Sequence, residues 1–101
     1  MKDDILASID QASEFLKALS GRSRLRILCH LSDGEKSVGE LVRLTGSRDT
    51  AVSQQLALLR KDGIVSSRRD GQMLYYSITH DGAARVLETL HGIFCPSDPE
   101  S

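Results

Sequence analysis

The stretch SVGELVRLTGSRDTAVSQQLALLRKDGIVSSRRDGQMLYYSI, residues 37–78, decides the fold. Ser37 is followed three residues later by Glu40. That is the capping-box spacing, so a short helix starts here and ends at Gly46. Ser47 reads as the cap of a longer helix over about residues 48–62, which stops at Gly63. The pattern then changes. Ile64-Val65-Ser66-Ser67-Arg68-Arg69 is a strand candidate, Asp70-Gly71 is a turn signal, and Leu74-Tyr75-Tyr76-Ser77-Ile78 is a second strand rich in β-formers. A short helix, a glycine turn, a longer helix and a hairpin in this order describe a winged helix-turn-helix.

Working outward, Ile5, Leu6, Ile9, Ala12, Leu16 and Leu19 recur at helical spacing and predict one helix over about residues 4–19. Ser20 reads as the cap of a second helix over about residues 21–32, ended by Asp33-Gly34. On the other side, Ala83, Val86, Leu87, Leu90 and Phe94 mark an apolar stripe on a helix over about residues 81–94. Pro96 disfavours helical geometry at Cys95, so this helix ends there or just before. The expected class is mainly α with a β-hairpin wing, in the order helix, helix, helix, helix, hairpin, helix. Residues 1–95 are expected to form a single domain for DNA binding and dimerisation, and residues 96–101 a disordered tail.

Composition fits that reading. The chain has 101 residues, enough for one domain with a modest core that a partner subunit would enlarge. Hydrophobic residues make up 40% and charged residues 27%, which excludes a disordered chain. Apolar runs are too short to span a membrane, and the acidic start Met1-Lys2-Asp3-Asp4 is followed by no apolar signal core. A cytoplasmic location is expected. The net charge of −1 excludes a protein that coats nucleic acid indiscriminately. Charge is uneven, however. Arg22, Arg24 and Arg26 lie in a stretch without acids, whereas Asp81, Glu88, Asp98 and Glu100 face only Arg85 near the C-terminus. A basic face on a near-neutral body suffices for DNA, because local potential governs phosphate contact.

The longer helix carries the recognition chemistry. Val52, Leu56 and Leu59 share one face, at i, i+4 and i+7, and should pack inward. Thr50, Gln54 and Lys61 lie opposite, with Ser53 at the edge and Gln55 beside them. Hydrogen-bonding side chains with few acids are what base edges in a major groove require, and Gln can bond adenine in a bidentate way. Alone, such a face equally suits a solvated helix surface. The hairpin tips the balance, because Arg68 and Arg69 precede its turn and Gln72 follows it, within reach of a neighbouring groove or phosphates.

Residues 15–78 closely resemble the ArsR/SmtB-type winged-helix repressors. The resemblance is carried by Leu19 to Leu28, by Ser37-Val38-Gly39-Glu40-Leu41, by the run from Ala51 to Val65 and by the wing from Arg68 to Tyr76. It implies a homodimer built from the first and last helices, and an operator of two half-sites read by two copies of the recognition helix. Many such repressors bind metals. Here Ser37 and Gly39 occupy the places of one set of cysteine ligands, and neither is a strong ligand. His80 and His91 keep the family's spacing for a second site, but Ile78 and Phe94 stand where its other ligands belong. No cofactor or metal is therefore expected, and a metal-responsive repressor using His80 and His91 is the alternative.

Cys29 and Cys95 are the two cysteines. Their separation fits no compact metal motif, and a reducing cytosol disfavours a permanent bridge. Their surroundings resemble the persulfide- and redox-responsive branch of the family, typified by SqrR, BigR and HlyU. That resemblance implies a regulatory dithiol, converted by reactive sulfur or an oxidant to a polysulfide or disulfide bridge that weakens operator binding. Cys29 also shares a helical face with Leu25 and Leu28, which suits a buried core thiol. Arg22, Arg24 and Arg26 would lower its pKa if they faced it. A thiol redox enzyme is a further alternative, but the chain lacks a Cys-x-x-Cys pair, a phosphate-binding glycine loop and a carboxylate cluster.

Overall fold

A computed structural model describes residues 2–94. Six helices and three strands run in the order α1 (Lys2–Ala7), α2 (Ile9–Leu19), α3 (Arg22–Leu31), β1 (Lys36–Ser37), α4 (Val38–Thr45), α5 (Asp49–Lys61), β2 (Val65–Asp70), β3 (Met73–Ile78) and α6 (Asp81–Phe94). This is the winged helix-turn-helix arrangement expected from the sequence. Residues 95 and beyond, with Cys95 and the expected tail, lie outside the described residues.

The core is made where α3, α4 and α5 converge on the sheet. Leu28, Leu41, Leu56 and Leu59 are fully buried, with Ile27, Leu31, Val52, Ile64 and Val65 nearly so. Each such side chain contributes roughly 1.5–3 kcal/mol on leaving water. Phe15, Tyr76, Ile78 and Val86 pack against the margin of this cluster. Tyr75 and Tyr76 alternate across the strand as expected, and it is Tyr76 that turns to the core.

The boundaries differ from expectation in instructive ways. The single N-terminal helix is broken at Ser8, whose φ of −110° and ψ of 20° interrupt the helical run. Ser20 closes α2 as its C-cap rather than opening α3, and Gly21 is the N-cap of α3. The cap of α5 is Arg48, not Ser47, and its side chain makes no capping bond. At α4 the capping box forms as read. Glu40 N donates to Ser37 Oγ at 3.2 Å and Ser37 N donates to Glu40 Oε1 at 2.9 Å. Gly46 ends that helix at φ 71°, a left-handed position where a side chain would be strained.

The wing is part of a three-stranded antiparallel sheet, in the order β1-β3-β2, rather than a lone hairpin. Strand β1 pairs Lys36 with Tyr76 and Ser37 with Tyr75. Two residues carry no readable alternation, so β1 was invisible in the sequence. The hairpin register places Asp70 opposite Met73, leaving Gly71 and Gln72 as the turn. Gly71 has φ 64°, while no residue other than glycine has positive φ among the described residues. That fits the two-residue turn with glycine first, whose twist matches the strands it joins.

Candidate nucleic-acid interface and thiol site

Helix α5 is set by its buried side. Val52, Leu56 and Leu59 are buried, which turns Thr50, Ser53, Gln54 and Lys61 to the exterior, where all four are exposed. Ser53 Oγ lies 3.4 Å from Asp49 Oδ1, a long bond within the first turn of the helix. Gln55 behaves differently. It is half-buried, and its Oε1 accepts from Arg24 Nε at 3.0 Å. Arg24 also donates through NH1 to the carbonyl of Ala18 at 3.0 Å. One guanidinium thus ties the end of α2 and the body of α3 to α5. Gln55 is an anchor of the helix inside this chain, apart from the exposed row.

The wing separates its two arginines. Arg68 lies opposite Tyr75 and Arg69 opposite Leu74, so the two point to opposite faces of the strand. Arg68 stacks over the Tyr75 ring, with its guanidinium carbon 4.9 Å from the centroid. Its Nε donates to Glu35 Oε2 at 2.9 Å and its NH2 to Glu35 Oε1. The Arg68 hydrogen bond holds the Glu35 carboxyl below its ordinary pKa, and the same bond raises that of Arg68. Arg69 and Gln72 are exposed at the tip. Glu35 and Arg24 were missed as site residues, because each works through a partner about thirty positions away. Arg48 was also passed over. It is exposed and is the N-cap residue of α5, the helix that carries the exposed row.

Cys29 lies on α3 and is exposed, while its neighbours Ile27 and Leu28 are buried. The buried-thiol alternative is thereby corrected, because Leu28, not Cys29, fills the core side of that turn. Ser32 Oγ donates to the Cys29 carbonyl at 2.6 Å. The side-chain hydrogen bonds of Arg24, on the same helix, go to Ala18 and Gln55. Cys95 lies outside the described residues, so its approach to Cys29 is not part of this geometry.

The two histidines sit at opposite ends of α6. His80 accepts a bond from Ala83 N on Nδ1 at 3.1 Å, capping the helix, and its ring stacks on Phe15 with centroids 5.1 Å apart. His91 is exposed in the last turn and lines an open cavity of about 460 Å³ with Leu31, Glu35, Ile78, Leu87 and Glu88. Eleven helical positions separate the pair, roughly 16 Å along the axis, so one subunit does not bring them to one ion. Among the described residues no three His, Cys, Asp or Glu side chains group as metal ligands do.

The outer helices carry unburied apolar side chains. Ile5, Leu6, Ile9 and Leu16 on α1 and α2, and Ile93 and Phe94 on α6, are each at least half exposed. Among the described residues no helix is long and apolar enough to cross a membrane.

Residues 21–67 match the family described as "Bacterial regulatory protein, arsR family". The chain is 44% identical to the HTH-type transcriptional regulator YgaV of Escherichia coli K12, over 89% of this chain and 92% of that protein. The crystal structure of the transcriptional repressor BigR from Xylella fastidiosa superimposes with a TM-score of 0.88 at 37% identity, covering 96% of this chain and 99% of that one. Reduced HlyU from Vibrio cholerae superimposes with a TM-score of 0.85, also at 37% identity, covering 91% and 97%.

Proposed function

The chain belongs to the arsR family of bacterial DNA-binding transcriptional regulators, and from that premise we propose that it is a homodimeric repressor switched by a Cys29/Cys95 dithiol. The observation that carries the DNA reading is the exposed row Thr50, Ser53, Gln54 and Lys61, backed by a fully buried opposite face of α5. Gln54 reads a base edge, Thr50 and Ser53 support it, and Lys61 and Arg69 hold phosphates. The two copies of α5 in a two-fold dimer meet half-sites about one helical turn apart.

The exposed apolar side chains of α1, α2 and α6 supply the dimer contact. They lie on the outward sides of helices whose inward sides, through Leu19, Ala83 and Leu87, join the core, and a patch of that kind suits burial against a second copy. Repression is favoured over activation by the likeness to the transcriptional repressor BigR, which extends over nearly the whole of both chains.

The exposure of Cys29 supports the switching half. A thiolate there attacks the sulfane sulfur of a persulfide donor, forming Cys29–S–SH and releasing the donor's thiolate. The Cys95 thiolate then attacks the inner sulfur and releases hydrosulfide, leaving a disulfide; attack on the middle sulfur of a longer chain leaves a trisulfide. Either bridge ties α3 to the end of α6, and α3 is joined to α5 through Arg24 and Gln55. A constraint on α3 is thereby delivered to the recognition helix. The likeness to reduced HlyU from Vibrio cholerae supports this reading.

The test is duplex binding by fluorescence anisotropy, with reduced protein before and after a sulfane sulfur donor. Wild type should lose affinity on treatment, while Cys29→Ser and Cys95→Ser should not. An unchanged response in both variants removes the dithiol, and failure to bind any duplex removes the repressor. Mass spectrometry of the treated protein identifies the bridge.

A further inference from the structure

We propose that Arg68 is a positioning residue that fixes the wing, clamped by Glu35, and that Arg69 alone carries the wing's charge to the DNA backbone. The proposal rests on the reading of α5 and the wing given above.

Two strands and the residue just before a third meet in the clamp. Arg68 comes from β2, its stacking partner Tyr75 from β3 directly opposite, and Glu35 from the residue preceding β1 on the far edge of the sheet. The guanidinium is fixed on two sides. Glu35 grips it through both carboxylate oxygens, with Nε at 3.2 and 2.9 Å and NH2 on Oε1. The Tyr75 ring lies 4.9 Å beneath. A bidentate carboxylate fork and an aromatic face together define the plane of an arginine.

Charge supports the assignment. Asp70 Oδ2 lies 3.9 Å from Arg68 NH1, so two carboxylates surround one guanidinium. That face of the wing therefore offers a phosphate no surplus positive charge, and phosphate affinity depends on such surplus. Arg69 differs in each respect. It lies opposite Leu74, on the strand face shared with the core-packed Tyr76 and Ile78, but beyond the core and exposed. Among the described residues it has no ion pair. Its charge is uncommitted.

The clamp is an exposed pair, with 54% and 37% of the two side chains accessible. Such pairs add little to global stability, so variants should remain folded. The experiment measures duplex affinity across a salt series, with thermal melts by circular dichroism as a folding check. Arg69→Ala should reduce the slope of log K against log salt by about one per subunit. Arg68→Gln should weaken binding about two- to fivefold at fixed salt and leave the slope unchanged. Glu35→Gln is the sharper probe. It removes a negative charge, so electrostatics alone would tighten DNA binding, whereas loss of the clamp weakens it. Joint Glu35→Arg and Arg68→Glu substitution should recover most of the lost affinity.

Tighter binding by Glu35→Gln overturns the proposal. So does a flattened slope in Arg68→Gln, which would put Arg68 on a phosphate. An unchanged slope in Arg69→Ala overturns it as well, whereas absence of salt-dependent binding by wild type would instead defeat the underlying DNA reading.

Discussion

The reading head and the outer helices of this protein are finished to different degrees. In the head, α3, α4, α5 and the sheet close over Leu28, Leu41, Leu56 and Leu59, and no buried side-chain polar atom lacks a partner among the described residues. In α1, α2 and α6, Ile5, Leu6, Ile9, Leu16, Ile93 and Phe94 remain in contact with solvent. The first region leaves Leu44, Leu58 and Met73 exposed but is otherwise closed, with Leu19, Ala83 and Leu87 of α2 and α6 contributing to its core. The second becomes complete only when something covers it, and in the proposed function that is a second copy. In the proposed function, base recognition falls on the first region and dimerisation on the second.

The largest expected effect tests the closed region. Leu56→Ala should cost about 2–5 kcal/mol, because it opens a void at a fully buried position. Denaturant unfolding reads this directly, and a loss below about 1 kcal/mol would mean the head is looser than its burial implies. The next effect tests the open region. Leu16→Asp should leave the melting of the head nearly intact but convert the dimer to monomer in sedimentation, with operator affinity falling at least about tenfold as roughly 1.5–3 kcal/mol of apolar burial is lost per copy. A variant that stays dimeric and binds normally would erase the contrast between the regions. Ser37→Ala should be milder, about 1 kcal/mol, from loss of the acceptor that caps α4.

The smallest effect is electrostatic. The folded-state pKa of Glu35 is depressed by its bond to Arg68. A depressed carboxylate contributes above its unfolded pKa, and that contribution is lost as pH falls through the lower folded value. The carboxyl resonance of Glu35 should therefore titrate below that of a free glutamate, and Arg68→Gln should restore the ordinary midpoint.

The same contrast explains what the sequence revealed. The head was legible because local rules agree there: Ser37 with Glu40, Gly46 after α4, and the alternation of Val52, Leu56 and Leu59 each specify their own neighbourhood. The exposed members of the candidate interface followed from the same periodicity. What escaped were links across the chain. Glu35 meets Arg68 and Arg24 meets Gln55 more than thirty positions away, and no local pattern announces either pair. Cys29 was ambiguous for another reason. A helical stripe through Leu25 and Leu28 includes it, and only the packing of Leu28 against the core turns it outward. The break at Ser8 was hidden because apolar spacing continues across it.

Ser37 ends β1 opposite Tyr75 and, in the same residue, caps α4. A single buried serine is thus the weld between the middle strand of the sheet and the first element of the helix-turn-helix. There is no slack residue at this joint. A tilt of the sheet at its root drags the front of α4 with it, so loop play must be sought further out, at the Gly71-Gln72 fingertip. Tolerance to insertions should follow the same map, with extra residues accepted at that fingertip and refused at Ser37.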